Sequence, residues 1–346
     1  MTIQLTLAEL VSTRSVSHDR DTCQQLLTHW QSKLPHAQID PELGIMWWGH
    51  LDLATTHWLI HTHLDVVPGP DSLFHLTIKG DKAIGRGTAD VKGCAAILID
   101  SAKQWDTLAK AKRLTFMLVT DEEIGGSDTA QILCQMPDLK GALFLEPTNH
   151  RLVIQAKGMM QIQIKASGRA THGSRPWDGE NAIEKLMVGL AKFKLDHPTP
   201  KSETRETTFN FSQINGGTAI NQVPASAELW CDVRRHPSIA SQAVIDDFSH
   251  AFVGCHVQLV KDESPISCDP RSRIFITLAE TLKASSLNPI AGFDHGTADA
   301  RHATKLGIPA LVFGPKGGGL HSDNEWVSLK SLGKVAAVLD HWIKNI

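Results

Sequence analysis

The chain has 346 residues, of which 42% are hydrophobic and 21% charged, and a formal net charge of -3 at pH 7. These proportions are typical of globular proteins and exclude a mostly disordered chain. The near-neutral charge and the lack of a Lys/Arg cluster argue against a nucleic-acid partner. The sequence contains no run of about 18 apolar residues, so no membrane span is predicted. At about 150 residues per domain, the length predicts about two domains.

The six cysteines are scattered along the chain without a Cys-x-x-Cys pair. This pattern predicts reduced thiols rather than a disulfide framework. The first residues, Met1-Thr2-Ile3-Gln4, lack the basic and apolar regions of a signal peptide. We therefore expect a cytoplasmic protein.

Apolar runs and helical patterns alternate at both ends of the chain. Near-continuous apolar runs at 114–120, 141–145 and 309–313 predict strands that are covered on both faces. Apolar residues at helical spacing predict helices at 23–34 and 93–109. This alternation predicts an α/β sheet with helices on both sides.

The middle of the chain follows a different pattern. Its order of predicted elements, β-α-β-β-α-β, is typical of a two-layer, ferredoxin-like sandwich. Because α/β segments flank it, we predict an inserted domain at 158–267 and a discontinuous first domain at 1–157 and 268–346. The predicted elements of the insertion are strands at 159–166, 207–214, 225–234 and 255–261, and helices at 181–193 and 238–251.

Five segments place side chains that can bind metals after predicted strands or on glycine-rich loops. The carboxyl ends of strands are where α/β sheets build their sites. His63 and Asp65 share one face of a strand, so Asp65 can orient the imidazole of His63. His61 shares that face and is a competing ligand. The candidate residues of the five segments are His63 with Asp65, Asp90, Glu122 with Glu123, Glu146, and His321 with Glu325.

Each candidate alone has an ordinary structural explanation. Asp90 could cap the helix that follows it, and the acidic turn at 120–126 could be solvated. Together, two histidines and several carboxylates suit two divalent ions that share one carboxylate. Zinc is the favoured ion, with cobalt or manganese as alternatives. Asp90, Glu123, Glu146 and a hydroxide would balance the charge of two such ions, which leaves one carboxylate for proton transfer.

The motifs HTHLDVVP, GRGTADVKG, TDEEIGG, LEPT and GGGLHSDNE resemble the ordered signatures of one dizinc family. Its members include acetylornithine deacetylase, succinyl-diaminopimelate desuccinylase, aminoacylase and bacterial glutamate carboxypeptidase. The resemblance spans nearly the whole chain, including the insertion. It implies a zinc-exopeptidase-like three-layer α/β/α catalytic domain with an inserted ferredoxin-like lid. It also implies a homodimer formed through the lid.

The resemblance assigns roles that the residues alone leave open. It makes the first glutamate of the adjacent pair, Glu122, the general base and the second a metal ligand. Asp65 would orient His63. One metal would be bound by His63, Asp90 and Glu146, and the other by Asp90, Glu123 and His321.

The insertion also contains segments that resemble the family's lid. Residues 170–174, ATHGS, resemble the segment whose histidine, here His172, reaches the substrate carbonyl from the partner subunit in dimeric members. The segments around Asn221 and Arg234 resemble parts that contact substrate. Arg234 would pair with a substrate carboxylate, because a planar two-pronged donor fits that group. A surface salt bridge is the simpler explanation of Arg234, and Arg235 is the competing candidate.

The resemblance implies hydrolysis of an amide bond in a small N-acyl amino acid or a short peptide. A hydroxide that bridges the metals would attack the carbonyl, with Glu122 as the general base. Glu146 favours a deacylase or glutamate carboxypeptidase, because tripeptidases and carnosine-type dipeptidases of the family have Asp there. A carboxypeptidase or dipeptidase remains the alternative. A non-catalytic scaffold is disfavoured because all ligands and the base are present.

Overall fold

The computed structural model describes residues 2–34 and 36–346. Within this part of the chain the α-helices are α1 (Ile3–Ser12), α2 (Arg20–Gln31), α3 (Gly93–Lys112), α4 (Ser127–Leu133), α5 (Ala182–Asp196), α6 (Ser241–Ala251), α7 (Arg273–Ala284), α8 (Ala300–Lys305) and α9 (Leu329–Asn345). The strands are β1 (Gln38–Asp40), β2 (Ile45–Gly49), β3 (Trp58–His63), β4 (Thr77–Lys79), β5 (Lys82–Ile84), β6 (Leu114–Val119), β7 (Gly141–Leu145), β8 (Leu152–Ala156), β9 (Gly158–Ser167), β10 (Thr208–Gly216), β11 (Ser226–Arg235), β12 (Cys255–Glu263), β13 (Ile266–Ser267), β14 (Ala291–Asp294), β15 (Ala310–Phe313), β16 (Gly317–Gly318) and β17 (Trp326–Ser328).

The chain divides into two compact units. The first comprises the described residues up to Gln155 together with Ile266–Phe293 and Ala298–Ile346, and the second comprises Ala156–Pro265 and Asp294–Thr297. The sequence places the insertion at 158–267. Nothing in the sequence assigns the short segment Asp294–Thr297 to the second unit.

A large mixed sheet forms the centre of the first unit. Its strand order is β1-β2-β6-β3-β7-β15-β8-β13, and β14 pairs with β8. The four central strands β6, β3, β7 and β15 are parallel to one another. Every residue of β3, β6 and β7 is buried, which explains the near-continuous apolar character of β6 and β7.

Helices cover both faces of this sheet. Leu143 of β7, with apolar residues of α3, α7 and α9, belongs to a core on one face. On the other face, the His61 Nε2 atom of β3 lies 3.0 Å from the Thr129 Oγ1 atom of α4. Helix α8 also contacts β7 and β15. The predicted three-layer α/β/α arrangement is confirmed.

The second unit is a four-stranded antiparallel sheet with the order β10-β11-β9-β12. Helices α5 and α6 contribute Phe193 and Phe248 to a core that also contains Ile162 and Ile164 of β9. Along the chain its elements follow the order β9-α5-β10-β11-α6-β12. The predicted ferredoxin-like order is therefore confirmed.

A small antiparallel sheet, β16-β17-β5-β4, joins two loops of the first unit. Trp326 of β17 is opposite Ile84 of β5. The pairing places the loop before β17 beside the loop after β5. The amino-acid sequence does not predict this sheet, because strands of two or three residues are too short to show a hydrophobic periodicity.

None of the described helices combines the length and the apolar character that are needed to cross a membrane. All six cysteines are unpaired. The cytoplasmic location stays a prediction.

Candidate metal centre

Three neighbouring parallel strands deliver metal-binding side chains to one edge of the large sheet. His63 is the last residue of β3, which lies between β6 and β7. Glu122 and Glu123 follow β6, and Glu146 directly follows β7. Because the carboxyl ends of parallel strands meet at one edge, residues far apart in sequence converge there.

Two loops complete the cluster. Asp90 lies in the loop after β5, three residues before α3 begins at Gly93, and the N-cap position of that helix is Lys92. The structure therefore excludes the helix-capping explanation of Asp90. His321 lies in the loop before β17 and has a φ of 60°.

The five side chains form two groups that share Asp90. The His63 Nε2 atom lies 3.2 Å from Asp90 Oδ1 and 3.5 Å from Glu146 Oε1. The His321 Nε2 atom lies 3.2 Å from Asp90 Oδ2 and 3.1 Å from Glu123 Oε2. Each oxygen of the Asp90 carboxylate therefore contacts a different group.

These separations fit tetrahedral zinc. Zinc bonds of about 2.0–2.1 Å at tetrahedral angles place two ligand atoms about 3.3 Å apart. In each group all ligand atoms lie within 4.8 Å of one another. Among the described residues, only these two groups meet that criterion. His63, Asp90 and Glu146 could hold one ion, and Asp90, Glu123 and His321 the other.

The electrostatics of the cluster also favour cations. Burial, together with the nearby Asp90 carboxylate, raises the pKa of Glu122 and of Glu123 to about 7. Burial likewise raises the pKa of Glu146 well above its usual value. Closely spaced buried carboxylates repel one another, and a bound cation relieves that repulsion.

Asp65 connects the two halves of the cluster. Its carbonyl oxygen lies 3.0 Å and its Oδ1 atom 3.3 Å from His63 Nδ1. Its carboxylate also accepts the backbone N–H groups of Glu122 and Glu123, at 3.2 and 3.1 Å, and the hydroxyl of Ser17 at 2.7 Å. Asp65 therefore positions the adjacent glutamates as well as the imidazole of His63. The sequence predicts its contact with the imidazole but not its contacts with the glutamates.

Comparison with known proteins identifies the family of this chain. Residues 59–345 match Peptidase family M20/M25/M40. The chain belongs to this family. The predicted resemblance to this peptidase family is therefore confirmed.

Two sequence relatives and one solved structure illustrate how similar this chain is to known proteins. Acetylornithine deacetylase of Proteus mirabilis is 32% identical over 215 residues, which are 58% of this chain and 55% of that enzyme. The chain thus spans about half the length of the first relatives it matches. A probable carboxypeptidase of Aspergillus niger is 32% identical over 306 residues, covering 79% of this chain and 70% of that protein. Aminopeptidase PepT of Bacillus cereus has the same fold, with a TM-score of 0.81, 18% identity, and coverage of 99% of this chain and 97% of the other.

The competing histidine lies outside both groups of this M20 chain. His61 Nε2 contacts the Thr129 hydroxyl, and its ring packs on Phe144. Burial lowers the pKa of His61 well below its usual value. His61 is therefore a neutral core residue on the face opposite the main core.

The segment GTADAR at 296–301 supports the turn that carries the two adjacent glutamates. Asp299 accepts a hydrogen bond from the Thr129 hydroxyl at 2.8 Å. Arg301 donates to the carbonyl of Gly125 at 2.6 Å, and His302 Nε2 lies 3.2 Å from the same oxygen. These contacts hold Gly125, which follows the two glutamates in the chain, against helix α8.

In the second unit, the structure brings two of the predicted lid residues together. His172 forms an isolated β-bridge with Gln222, and the N–H of Gly173 donates to the carbonyl of Asn221 at 2.7 Å. The His172 Nδ1 atom lies 2.7 Å from the Ser174 hydroxyl. The Ser174 hydroxyl thus orients the His172 ring through Nδ1, and Nε2 is the other polar atom of the ring.

The structure separates the roles of the two adjacent arginines. The Arg235 side chain is 8% exposed, donates to the carbonyl of Ile239 at 2.6 Å and pairs with Asp262 at 3.3 Å. The Arg234 side chain is 41% exposed and pairs only with Asp232, two residues away, in the described contacts. Arg235 is therefore part of the unit's own structure, and Arg234 is the arginine that can reach a ligand.

Proposed function

We propose that this chain hydrolyses the amide bond of a small N-acyl amino acid, as deacylases for acetylornithine or succinyl-diaminopimelate do. The pair of triads that share Asp90, with a further carboxylate beside them, carries this proposal. Glu122 Oε2 lies 3.9 Å from His63 Nε2, and Glu122 belongs to neither triad. A spare carboxylate next to a metal pair is what proton transfer in hydrolysis requires.

We propose zinc as the resident ion in both triads, with cobalt or manganese as alternatives. The nitrogen and oxygen ligands fit this choice. When bound, such ions polarise a carbonyl group and lower the pKa of water. The remaining steps are assigned to side chains of the chain itself.

Glu122 is proposed to accept the proton of the attacking water and to deliver it to the leaving amine. Its pKa near 7, which burial raises, suits a group that must both take and give a proton at neutral pH. Asp65 orients Glu122 through its backbone N–H group. His172 is proposed to donate a hydrogen bond to the developing oxyanion.

Arg234 is proposed to bind the free carboxylate of the substrate, with Asn221 as a further contact. Arg234 lines an open cavity of about 350 Å³ in the second unit, together with Lys157 and His295. A charged hydrogen bond from a guanidinium to a carboxylate is among the stronger polar contacts in proteins. This supports a substrate that carries a carboxylate beside its amide bond.

The test is a substrate panel with the metal-loaded protein. N-acetyl-ornithine, N-succinyl-diaminopimelate, other N-acyl amino acids, C-terminal-glutamate peptides and dipeptides are incubated with and without a chelator, and amine release is measured. We expect chelator-sensitive turnover of an N-acyl amino acid. Turnover of peptides alone would contradict the deacylase proposal.

A carboxypeptidase is the second candidate. The probable carboxypeptidase of Aspergillus niger matches a larger share of this chain than the Proteus deacetylase does. The same cluster and the same arginine would serve this reaction, because a peptide also presents an amide bond near a carboxylate. The peptide arm of the panel distinguishes the two.

A homodimer through the second unit is also proposed. Strand β12 is an edge strand and carries the exposed side chains of Leu259 and Val260. Helix α5 exposes Val188 and Leu195, the latter by 82%. Large exposed apolar side chains on an edge strand and on a helix of one unit support an interface with a second copy.

A further inference from the structure

A buried ion pair joins two loops that carry metal ligands. Arg86 Nη1 lies 2.8 Å from Glu325 Oε2, and both side chains are almost completely buried. The two residues are 239 positions apart in sequence. The loop that contains Arg86 continues to Asp90, and the loop that ends at Glu325 contains His321.

Glu325 organises the backbone of the Asp90 loop. Its Oε2 atom accepts the N–H of Gly87 at 3.0 Å. Its Oε1 atom accepts the N–H groups of Ala89 at 3.0 Å and of Asp90 at 3.2 Å. One carboxylate thus binds three backbone donors of the segment 87–90, which ends at the shared ligand.

Arg86 binds the backbone of the other loop. Its Nη1 atom donates to the Ser322 carbonyl at 3.2 Å, and its Nη2 atom lies 3.5 Å from the His321 carbonyl. Nη2 also donates to the Pro68 carbonyl at 3.2 Å. The planar guanidinium therefore connects the residue after His321 with the chain that follows β3.

We infer that Arg86 and Glu325 are positioning residues for the metal site formed by Asp90, Glu123 and His321. This inference rests on the metal centre described under the proposed function, but not on the substrate. The ion pair touches the backbone of two of the three ligands of that site. It touches one ligand of the other site, Asp90, so its effect on the two sites should differ.

Both oxygens of the Glu325 carboxylate are needed as hydrogen-bond acceptors, so a side chain of the same volume cannot replace it. Each of its two oxygens accepts two donors, counting Arg86. In Glu325→Gln, either orientation of the amide would turn its NH₂ group towards donors. Partners that orient metal ligands typically contribute about 10–100-fold to metal affinity. We therefore expect the isosteric variant to lose affinity although it keeps the volume.

The test is a cobalt(II) titration of the metal-free protein, followed by visible absorption. His321→Ala identifies the absorption phase of the site that contains His321, and His63→Ala identifies the other. In Glu325→Gln we expect about 10–100-fold weaker cobalt binding in the first of these phases and a smaller change in the second. This readout does not depend on activity.

Asp81→Asn is the matched control. The Asp81 carboxylate accepts the Ser328 hydroxyl and the backbone N–H of Lys330, so it joins the same two stretches of chain outside the ligand loops. We expect wild-type cobalt affinities for this variant. If Asp81→Asn loses as much cobalt affinity as Glu325→Gln, then any weakened contact between these two stretches of chain has the same effect. That result would overturn the inference.

Arg86→Lys is the second variant, because it keeps the charge and removes the forked contacts. Circular dichroism of the metal-free proteins shows which variants fold. Unchanged cobalt affinities in the folded variants, or equal losses at both sites, would overturn the positioning role. Failure of the wild-type protein to bind two ions would instead contradict the metal centre itself.

Discussion

Adjacent residues of the same type have different surroundings in this chain. Glu123 lies 3.1 Å from His321 Nε2 and belongs to a ligand group, whereas Glu122 belongs to neither group. In Glu122→Gln we expect kcat to fall about 10²–10⁴-fold while two metal ions stay bound, because only the proton carrier is lost. Steady-state kinetics and metal analysis of the same sample measure both effects.

The control is Glu123→Gln, which should lose one metal ion per chain as well as activity. If Glu122→Gln releases metal, or if it keeps near wild-type kcat, the assignment of the general base is wrong.

Arg234 and Arg235 should respond to substitution in different assays. Arg234→Ala should raise KM about 10–100-fold with little change in kcat, because it removes a charged hydrogen bond that substrate and transition state share. Arg235→Ala should lower the free energy of unfolding by about 1–3 kcal/mol, because it breaks two contacts within its unit. Kinetics and denaturant unfolding of both variants separate the roles. A high KM in Arg235→Ala alone would reverse the assignment.

Cysteine reactivity should follow burial. Burial raises the pKa of Cys23 and of Cys231 to about 12, so both stay protonated at pH 8. The thiolate is the reactive form, and Cys134 is exposed. We expect iodoacetamide at pH 8 to modify Cys134 first and to spare Cys23 and Cys231, as measured by peptide mass spectrometry. Unfolding in denaturant should abolish this selectivity.

At the scale of elements, the turn between β6 and α4 depends on a glycine. Gly126 has a φ of +60°, and a Cβ atom there would lie 1.9 Å from Asp299 Oδ1. Gly80 has the same φ, but no atom lies within 4 Å of its Cβ position. Gly80→Ala should therefore cost about 1–2 kcal/mol from the backbone alone.

Gly126→Ala should cost at least about 2 kcal/mol more than Gly80→Ala, because Asp299 must also move. It should also lower activity, since the turn carries Glu122 and Glu123. Denaturant unfolding and kinetics of both variants measure the difference. Equal costs would show that the contact between the turn and Asp299 is easily relaxed.

The long elements were predictable because their burial leaves a clear pattern. The apolar runs that predict β6 and β7 differ from the observed strands by no more than one residue at an end. The small sheet β16-β17-β5-β4 was not predictable, because its strands are too short to show alternation. Helices α7 and α9 were not predicted, although both are amphipathic.

The metal ligands were predictable because each follows a strand or lies on a glycine-rich loop. Choosing Glu122 over Glu123 needed the resemblance, since local sequence treats two adjacent glutamates alike. The contacts of Glu325 with residues 87–90 could not be predicted, because they join positions far apart in the chain. The pairing of β17 with β5 brings those positions together in the folded chain.

At the scale of the whole molecule, the proposed dimer predicts complementation. If His172 acts from the partner subunit, a mixed dimer of Glu122→Gln and His172→Ala chains contains one complete set of residues. Each variant alone should have low activity, and activity should recover after the two are mixed and allowed to exchange subunits. Sedimentation measures the oligomer. A monomer, or no recovery despite exchange, would contradict the proposed action across subunits.

The position of the insertion in the large sheet affects the order in which the two units can fold during synthesis. Strand β8 precedes the insertion and strand β13 follows it, and the two are hydrogen-bonded neighbours in the sheet. Paired strands lie about 4.8 Å apart, so the two points at which the insertion joins the large sheet are close together. The entropy cost of closing the chain around the insertion is therefore small. During synthesis the second unit can therefore fold while the first still lacks β15 and α9. His321 and Glu325 follow the insertion in the chain, so the second unit can fold before the ligand group that contains His321 is complete.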